Sequence, residues 1–224
     1  MGFILSWADN VLDLDLKTCV MGTLNVTPDS FSDGGQYLES NTAIERGITM
    51  AREGADIIDV GGESTRPYSR KITVSEELDR VVPVIEGLKK ELAIPISIDT
   101  CKGEVAREAL KAGASMINDI SALRFDPDMA SIAAEAGIPV ILMHIKGMPE
   151  DMQKSPTYGD LIPEICDFLE DAIERSVSAG IKRDLISVDP GIGFGKTFDH
   201  NLKIIKGLSR FEALGRPVLL GTSN

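Results

Sequence analysis

Histidine is scarce here: only His144 and His200 occur in 224 residues, too few for a histidine-rich metal site. The three cysteines, Cys19, Cys101 and Cys166, are odd in number and form no Cys-x-x-Cys pair. That argues against a disulfide framework or a zinc site and fits a reducing cytoplasm. Aromatic residues make up 5% of the chain, so a core has to rest on Ile, Val, Leu, Ala and Met. Basic residues are outnumbered 23 to 35, for a net charge of −12. Nucleic-acid and anionic-membrane binding need clustered Lys and Arg, and both are argued against. An anionic substrate would need local help from a metal, a few placed cations or backbone N–H groups. No apolar run approaches membrane-spanning length, and no basic stretch followed by an apolar one opens the chain. Met1-Gly2 with Ser6 fits the loose myristoylation pattern, which is short enough to arise by chance.

What is present is a repeating pattern. Short apolar runs end in a polar residue, and Gly-rich loops lead from them into amphipathic segments. The runs are Cys19–Asn25, Asp56–Asp59, Ile96–Asp99, Ser115–Asp119, Pro139–His144, Leu185–Asp189 and Pro217–Gly221. Helices are expected at about Thr42–Glu53, Ser75–Glu91, Lys102–Ala112, Pro127–Ala136, Tyr158–Ala179 and Asp199–Ala213. Leu78, Val81, Val82, Ile85 and Leu88 give one buried helical face. Ser75 with Leu78 forms no capping box, and Gly54, Gly113, Gly137 and Gly180 sit where αL C-caps are expected. Alternating strands and helices predict a parallel sheet covered by helices, in one domain over residues 1–224. Asn25, Asp59, Asp99, Asn118, His144 and Asp189 fall at or just past six strand ends. A doubly wound sheet gathers ligand groups at its switch point, whereas a barrel turns every strand end toward one mouth. The pattern favours an α/β (β/α)8 TIM barrel, with seven strands and six helices present.

Four segments carry chemistry. In Asn25–Gly35 a long polar loop follows a strand, and Asn25 can place its amide oxygen on a hard cation or its NH2 on a phosphate oxygen. In Asp59–Tyr68 two glycines permit close backbone approach, and Arg66 offers a planar fork. Arg66 can equally pair with Glu76 or Glu77 at the surface, and Asp59 or Glu63 with Arg70 or Lys71. Asp99, Asn118 and Asp189 converge on the mouth and make a receptor for a heterocycle with adjacent N–H donors. A carboxylate site for Mg2+ or Mn2+ is the second reading, and turn or helix capping by Asp99, Asn118 or Asp119 the third. Asp189–Thr197 fails as a phosphate loop, because Pro190 stands where that motif needs Gly. It reads as a tight turn aiming Phe194 into the mouth, with the environment of Lys196 left open. His144 follows a buried strand, Met143 is core or pocket wall, and Cys101 reads as inert.

Met21-Gly-Thr-Leu-Asn-Val-Thr-Pro-Asp-Ser-Phe-Ser-Asp-Gly-Gly35 and Gly61-Gly-Glu-Ser-Thr-Arg-Pro67 resemble the two signatures of the dihydropteroate synthase family. Ile98-Asp-Thr100, Ile117-Asn-Asp119, Leu142-Met-His144 and Asp189–Lys196 follow in that family's order. The resemblance implies a transferase joining 4-aminobenzoate to (7,8-dihydropterin-6-yl)methyl diphosphate in folate biosynthesis. It implies that Asp99, Asn118 and Asp189 bind the pterin, with Met143 and Gly193 near the ring. Asn25 matches the position that helps hold Mg2+ and the diphosphate, so Asn25, Asp99 and Asp189 form the implied catalytic set. Thr65, Arg66 and Pro67, with Phe194, match the aminobenzoate subsite. Both partners implied are small molecules, and a homodimer is a family expectation.

Two departures stand out. Tyr68 replaces a common Gly after the Arg-Pro pair. The family continues past Gly221-Thr-Ser with Arg and Lys, an eighth strand and a basic diphosphate site, and this sequence stops at Asn224. The expectation is a fragment of a longer enzyme, poorly stable and nearly inactive alone. A pterin-binding methyltransferase of similar barrel fold is an alternative, but it should lack the first loop seen here. A non-catalytic pterin-binding remnant is the other.

Overall fold

The computed structural model describes residues 2–27, 35–64 and 71–222. It opens with an antiparallel hairpin, β1 (Ile4–Trp7) and β2 (Asn10–Asp13), which the sequence pattern did not reveal. Its strands are four residues each, and the turn between them passes through Ala8 at a positive φ of 43°. Leu5, Trp7 and Leu12 point inward and join the main core.

Six parallel strands follow: β3 (Met21–Asn25), β4 (Ile57–Gly61), β5 (Ile96–Asp99), β6 (Met116–Asp119), β7 (Val140–Met143) and β8 (Ile186–Asp189). Each pairs with the next, in the order β3-β4-β5-β6-β7-β8. A doubly wound sheet reverses its order at a switch point; strictly sequential order is that of a barrel wall. The seventh expected strand is weaker than predicted. Residues 217–219 meet β8 through two backbone hydrogen bonds, Val188 N to Pro217 O and Leu219 N to Val188 O, and form only one bridge, Val188 to Val218.

The helices are α1 (Gly35–Arg52), α2 (Val74–Glu91), α3 (Gly103–Ala112), α4 (Met129–Ala136), α5 (Leu161–Ser178) and α6 (Phe198–Lys206). A 3-10 turn at Leu208–Leu214 ends what the pattern read as one longer helix after Asp199. The predicted face of α2 is shifted: Glu77, Val81, Val84, Ile85 and Leu88 are buried, and Leu78 and Val82 only partly so. The capping box denied at Ser75 lies two residues earlier. The Thr73 hydroxyl accepts from Glu76 N at 3.2 Å, and Glu76 returns a carboxylate to Thr73 N at 2.8 Å. All four predicted C-cap glycines take positive φ, but only Gly137, at 63° and 37°, is αL. The core lies between sheet and helices. Ile58, Val60, Ile98, Ile117, Leu142 and Val188 meet Val81, Ile85 and Leu88 of α2, Val105 and Ala109 of α3, and Leu169 of α5. Among the described residues, no helix is long and apolar enough to cross a membrane.

Candidate active site

Strand register brings the predicted residues together. Asn25 stands beside Gly61, Gly61 beside Asp99, and Asp99 beside Asn118, an unbroken row across four strands. Side chains alternate along a strand, so in-register neighbours share a face. The row continues to Ile141 of β7; two residues on, and so on the same face, Met143 pairs with Asp189. Gly61 is the gap in this row. A Cβ there would sit 3.4 Å from Asp99 Oδ2 and 3.6 Å from Asn25 Oδ1, so both oxygens flank the space that glycine leaves.

Asp59 is two residues below Gly61, inside β4 rather than at its end as expected. Asn118 Nδ2 donates to Asp59 Oδ2 at 2.9 Å. Asp59 Oδ1 and Ser97 Oγ, on in-register residues of adjacent strands, are buried without a well-formed hydrogen bond. Burial raises the Asp59 carboxyl above the usual range, and the Asn118 bond opposes that. Asp99 is raised well above its ordinary value by burial, then by the charges of Asp59, Asp119, Glu77 and Glu63. Among the described residues no donor hydrogen-bonds the Asp99 carboxylate, which leaves its oxygens open to a ligand. The first N–H of the helix after β5, Gly103 N, donates to Asp126 Oδ2 at 2.6 Å and its N-cap Lys102 makes no side-chain cap bond, so the capping reading of Asp99 fails. For Asp119 it holds. Its oxygens accept Ser121 N at 2.7 Å, Leu123 N at 3.1 Å and the Cys101 thiol at 3.1 Å. Burial and this carboxylate push the thiol up, which keeps Cys101 protonated and unreactive.

Asp189 ends β8 at 7% exposure, and its Oδ1 accepts Gly191 N at 2.7 Å. Burial pushes its carboxyl up to about 6, against that hydrogen bond and the Lys196 charge. Above pH 6 it is therefore mostly an acceptor. Beyond it, Gly193 and Phe194 lie half-buried on the turn. Gly193 N bonds Asn201 Oδ1 at 3.0 Å, and Gln153 donates to Gly193 O. His144 follows Met143 and so turns to the opposite face, where its ring meets Phe168 of α5 edge-on at 4.8 Å. It does not reach the mouth.

Other pairings differ from those weighed on the sequence. Lys71 pairs with Glu150 at 2.5 Å, and Lys102 bridges Glu63 at 2.6 Å and Glu77 at 2.5 Å. Glu77, fully buried, also accepts the Thr100 hydroxyl at 2.7 Å. On the sequence Glu77 reads as a surface partner for Arg66 and Lys102 only as the start of a helix; the fold instead buries Glu77 and pairs it with Lys102. A charged residue one turn into a helix has the spacing of an ordinary solvated cap, and only the fold buries it. Lys196 is 3% exposed, not the solvated cation left open on the sequence. Thr65, Arg66 and Pro67, together with Tyr68 and Arg70, lie outside the described residues. Among the described residues, no three His, Cys, Asp or Glu side chains are grouped to hold a metal ion.

Comparison with known proteins agrees with this geometry. Dihydropteroate synthase of Bacillus subtilis is 51% identical over 207 residues, 92% of this chain and 70% of that protein. The Synechocystis enzyme of the same name is 47% identical over 213 residues, 95% and 74% of the two chains. Among solved structures, Xanthomonas albilineans dihydropteroate synthase with 4-aminobenzoic acid superposes with a TM-score of 0.92 at 45% identity. That match covers 100% of this chain and 79% of that one. The same enzyme with 7,8-dihydropteroate gives 0.87 at 43%, covering 98% and 78%. The match to pterin binding enzymes runs over residues 21–224, and the chain belongs to that family, with the partial (β/α)8 barrel of its relatives.

Proposed function

We propose that this chain acts as a dihydropteroate synthase, joining 4-aminobenzoate to (7,8-dihydropterin-6-yl)methyl diphosphate. The observation that carries the reading is the row of Asn25, Asp99 and Asn118, with Asp189 and Met143 on the same sheet face. Flat heterocycles with adjacent N–H donors are bound best by carboxylates that accept two of them at once. Asp189 supplies an ionised acceptor above pH 6. Asp99, with no donor on its carboxylate among the described residues, stands on the same face, and the Asn118 carbonyl adds an acceptor because its NH2 is engaged with Asp59. Met143 and Gly193 border the ring. Thr65, Arg66 and Pro67 are assigned to the aminobenzoate subsite with Phe194.

In the reaction the arylamine nitrogen forms a bond to the pterin methylene carbon as that carbon's bond to the diphosphate oxygen breaks. The nitrogen then loses a proton, and diphosphate leaves. Positive charge develops on the pterin methylene, and the surplus of carboxylates around it favours that charge. No strong general base is required. Mg2+ fits the donor set: it takes one or two protein oxygens and completes its shell with water and substrate phosphates. The Asn25 amide oxygen beside Gly61 is such a donor, and the ion when bound neutralises charge on the leaving diphosphate. The three free cysteines are consistent with a cytoplasmic location, and a homodimer is the family expectation.

The test is formation of dihydropteroate from the two substrates, followed by diphosphate release. Folded protein that binds pterin without turnover would favour the remnant reading; folded protein that binds none would sink the site. Arg66→Ala is expected to raise the KM for aminobenzoate and leave that for pterin diphosphate nearly unchanged. The converse pattern would reassign that loop.

A further inference from the structure

The proposed reaction makes no use of Lys196, yet this lysine is among the most buried cations of the molecule. It closes the turn that carries Gly193 and Phe194. That turn lies directly on the backbone after β7. A Cβ on Gly191 would stand 2.0 Å from His144 O, and one on Gly195 would stand 2.4 Å from Lys146 O; both glycines also need positive φ, 68° and 66°. Tyr158 adds a hydroxyl bond to Gly195 O at 2.8 Å. Into this contact Lys196 places its Nζ, 2.8 Å from His144 Nδ1, 3.0 Å from Phe194 O and 3.2 Å from His144 O.

Two of these partners are carbonyl oxygens, which accept from Nζ, and the third is a ring nitrogen that accepts when His144 is protonated at Nε2 and donates when it is protonated at Nδ1. In either tautomer Nζ ties the turn to the end of β7. Burial draws Lys196 down to about 7, and the Asp189 charge raises it. Burial first and the Lys196 charge second hold His144 far below its ordinary value, so the imidazole does not compete for the proton.

We propose that Lys196 is a positioning residue: its buried Nζ fastens the Gly191–Lys196 turn to the end of β7 and so holds the Gly191 N–H on the Asp189 carboxylate that faces the pterin. The proposal rests on Asp189 being a pterin contact. Lys196 has few other charges around it. From β8 comes the Asp189 charge, which raises Lys196 against burial. From the segment after β7 come neutral His144 and Lys146, whose ammonium lies over the Tyr158 ring at 4.0 Å. From the segment after β6 comes Arg124, stacked on Phe168 at 4.6 Å, and α5 contributes the Phe168 ring and Glu164, which pairs with Lys146 at 3.2 Å. Against burial, Asp189 has only the Gly191 N–H and the Lys196 charge.

The experiment is titration of 6-hydroxymethylpterin into the chain and its Lys196→Met variant at pH 5.5 and 7.5, with thermal melts to establish folding. Without the cation the Asp189 carboxyl rises further, so the acid limb of binding moves to higher pH. The loss of affinity at pH 5.5 is expected to exceed that at pH 7.5 by about threefold or more. Equal losses at both pH values would leave Lys196 a purely structural role and overturn the proposal. Should the Met variant not fold, His144→Leu removes one of the three partners of Lys196 Nζ, loosens the turn that holds Gly191 N–H on Asp189, and should shift the limb in the same direction. No shift in that variant overturns the proposal as well. If the unsubstituted chain binds no pterin at either pH, the assignment of Asp189 itself fails, a result distinct from an unmoved limb.

Discussion

The two sides of the strand-end face solve opposite electrostatic problems. On the β4–β6 side, the charges of Asp59, Asp119, Glu77 and Glu63 all act on Asp99, and the nearby ammonium of Lys102 is committed to Glu63 and Glu77. On the β7–β8 side a single carboxylate, Asp189, shares its surroundings with a buried ammonium. Burial raises both ligand-facing acids, but surplus negative charge drives Asp99 further, whereas Lys196 restrains Asp189. The lesson is that two residues of one type, on one face, need not be one kind of group. Asp189 is an ionised acceptor near neutral pH, while Asp99 is biased toward the proton-bearing acid, which donates through one oxygen and accepts through the other.

Breaking the β8 side should have the largest effect. Asp189→Asn replaces an acceptor pair with one acceptor and one donor, at a cost in pterin affinity of about 2–4 kcal/mol. Calorimetry on the folded variant returning near-wild-type affinity would remove Asp189 from the site.

On the other side, Lys102→Met strands the fully buried Glu77 with only the Thr100 hydroxyl. Lys102 is itself partly exposed, so the loss of stability is expected near the lower end for a broken buried pair, about 3 kcal/mol. Adding Glu77→Met should recover most of it. A double variant as unstable as the single one would show that the ammonium, not the stranded carboxylate, mattered.

Asp99→Asn sharpens the contrast with the smallest effect. A carboxyl whose folded pKa is raised binds its proton more tightly when folded. Its contribution is full below the unfolded value, near 3.9, and is lost as pH rises through the folded value. The amide removes that loss, so the unliganded variant should melt about 2–4 °C higher at pH 8, the shift for roughly 1 kcal/mol in a domain of this size. At pH 4 the two should melt together. Activity should fall at the same time, as expected where a site is held at the expense of stability. An equal or lower melting temperature at pH 8 would mean that the crowded charges do not act on Asp99 as described.

Local chemistry made much of this readable in advance. The strand-to-helix alternation, the six helices and the polar residues closing the strands follow from periodicity. Even the differences are local: the capping box of α2 is Thr73-x-x-Glu76, two residues before the Ser75 at which the pattern starts the helix. The β1–β2 hairpin escaped because strands of four residues joined through a non-glycine turn leave almost no signal. The run at 217–221 looks like its predecessors in sequence but makes only one bridge. A strand exists by pairing, and pairing is not a property of the segment.

The sequence by itself determined the α/β class, the order of the elements and which residue types stand at each strand end. Those depend on side-chain period and on neighbours a few positions away. Tertiary structure alone decided that Asn25, Asp99 and Asn118 share one register row, that Asp59 lies a layer below them, and that His144 turns to the other face. It alone paired Lys196 with His144 across 52 positions and Lys102 with Glu63 across 39. The reason is physical: charge state depends on burial and on groups brought close by strand pairing, and neither is set by spacing along the chain.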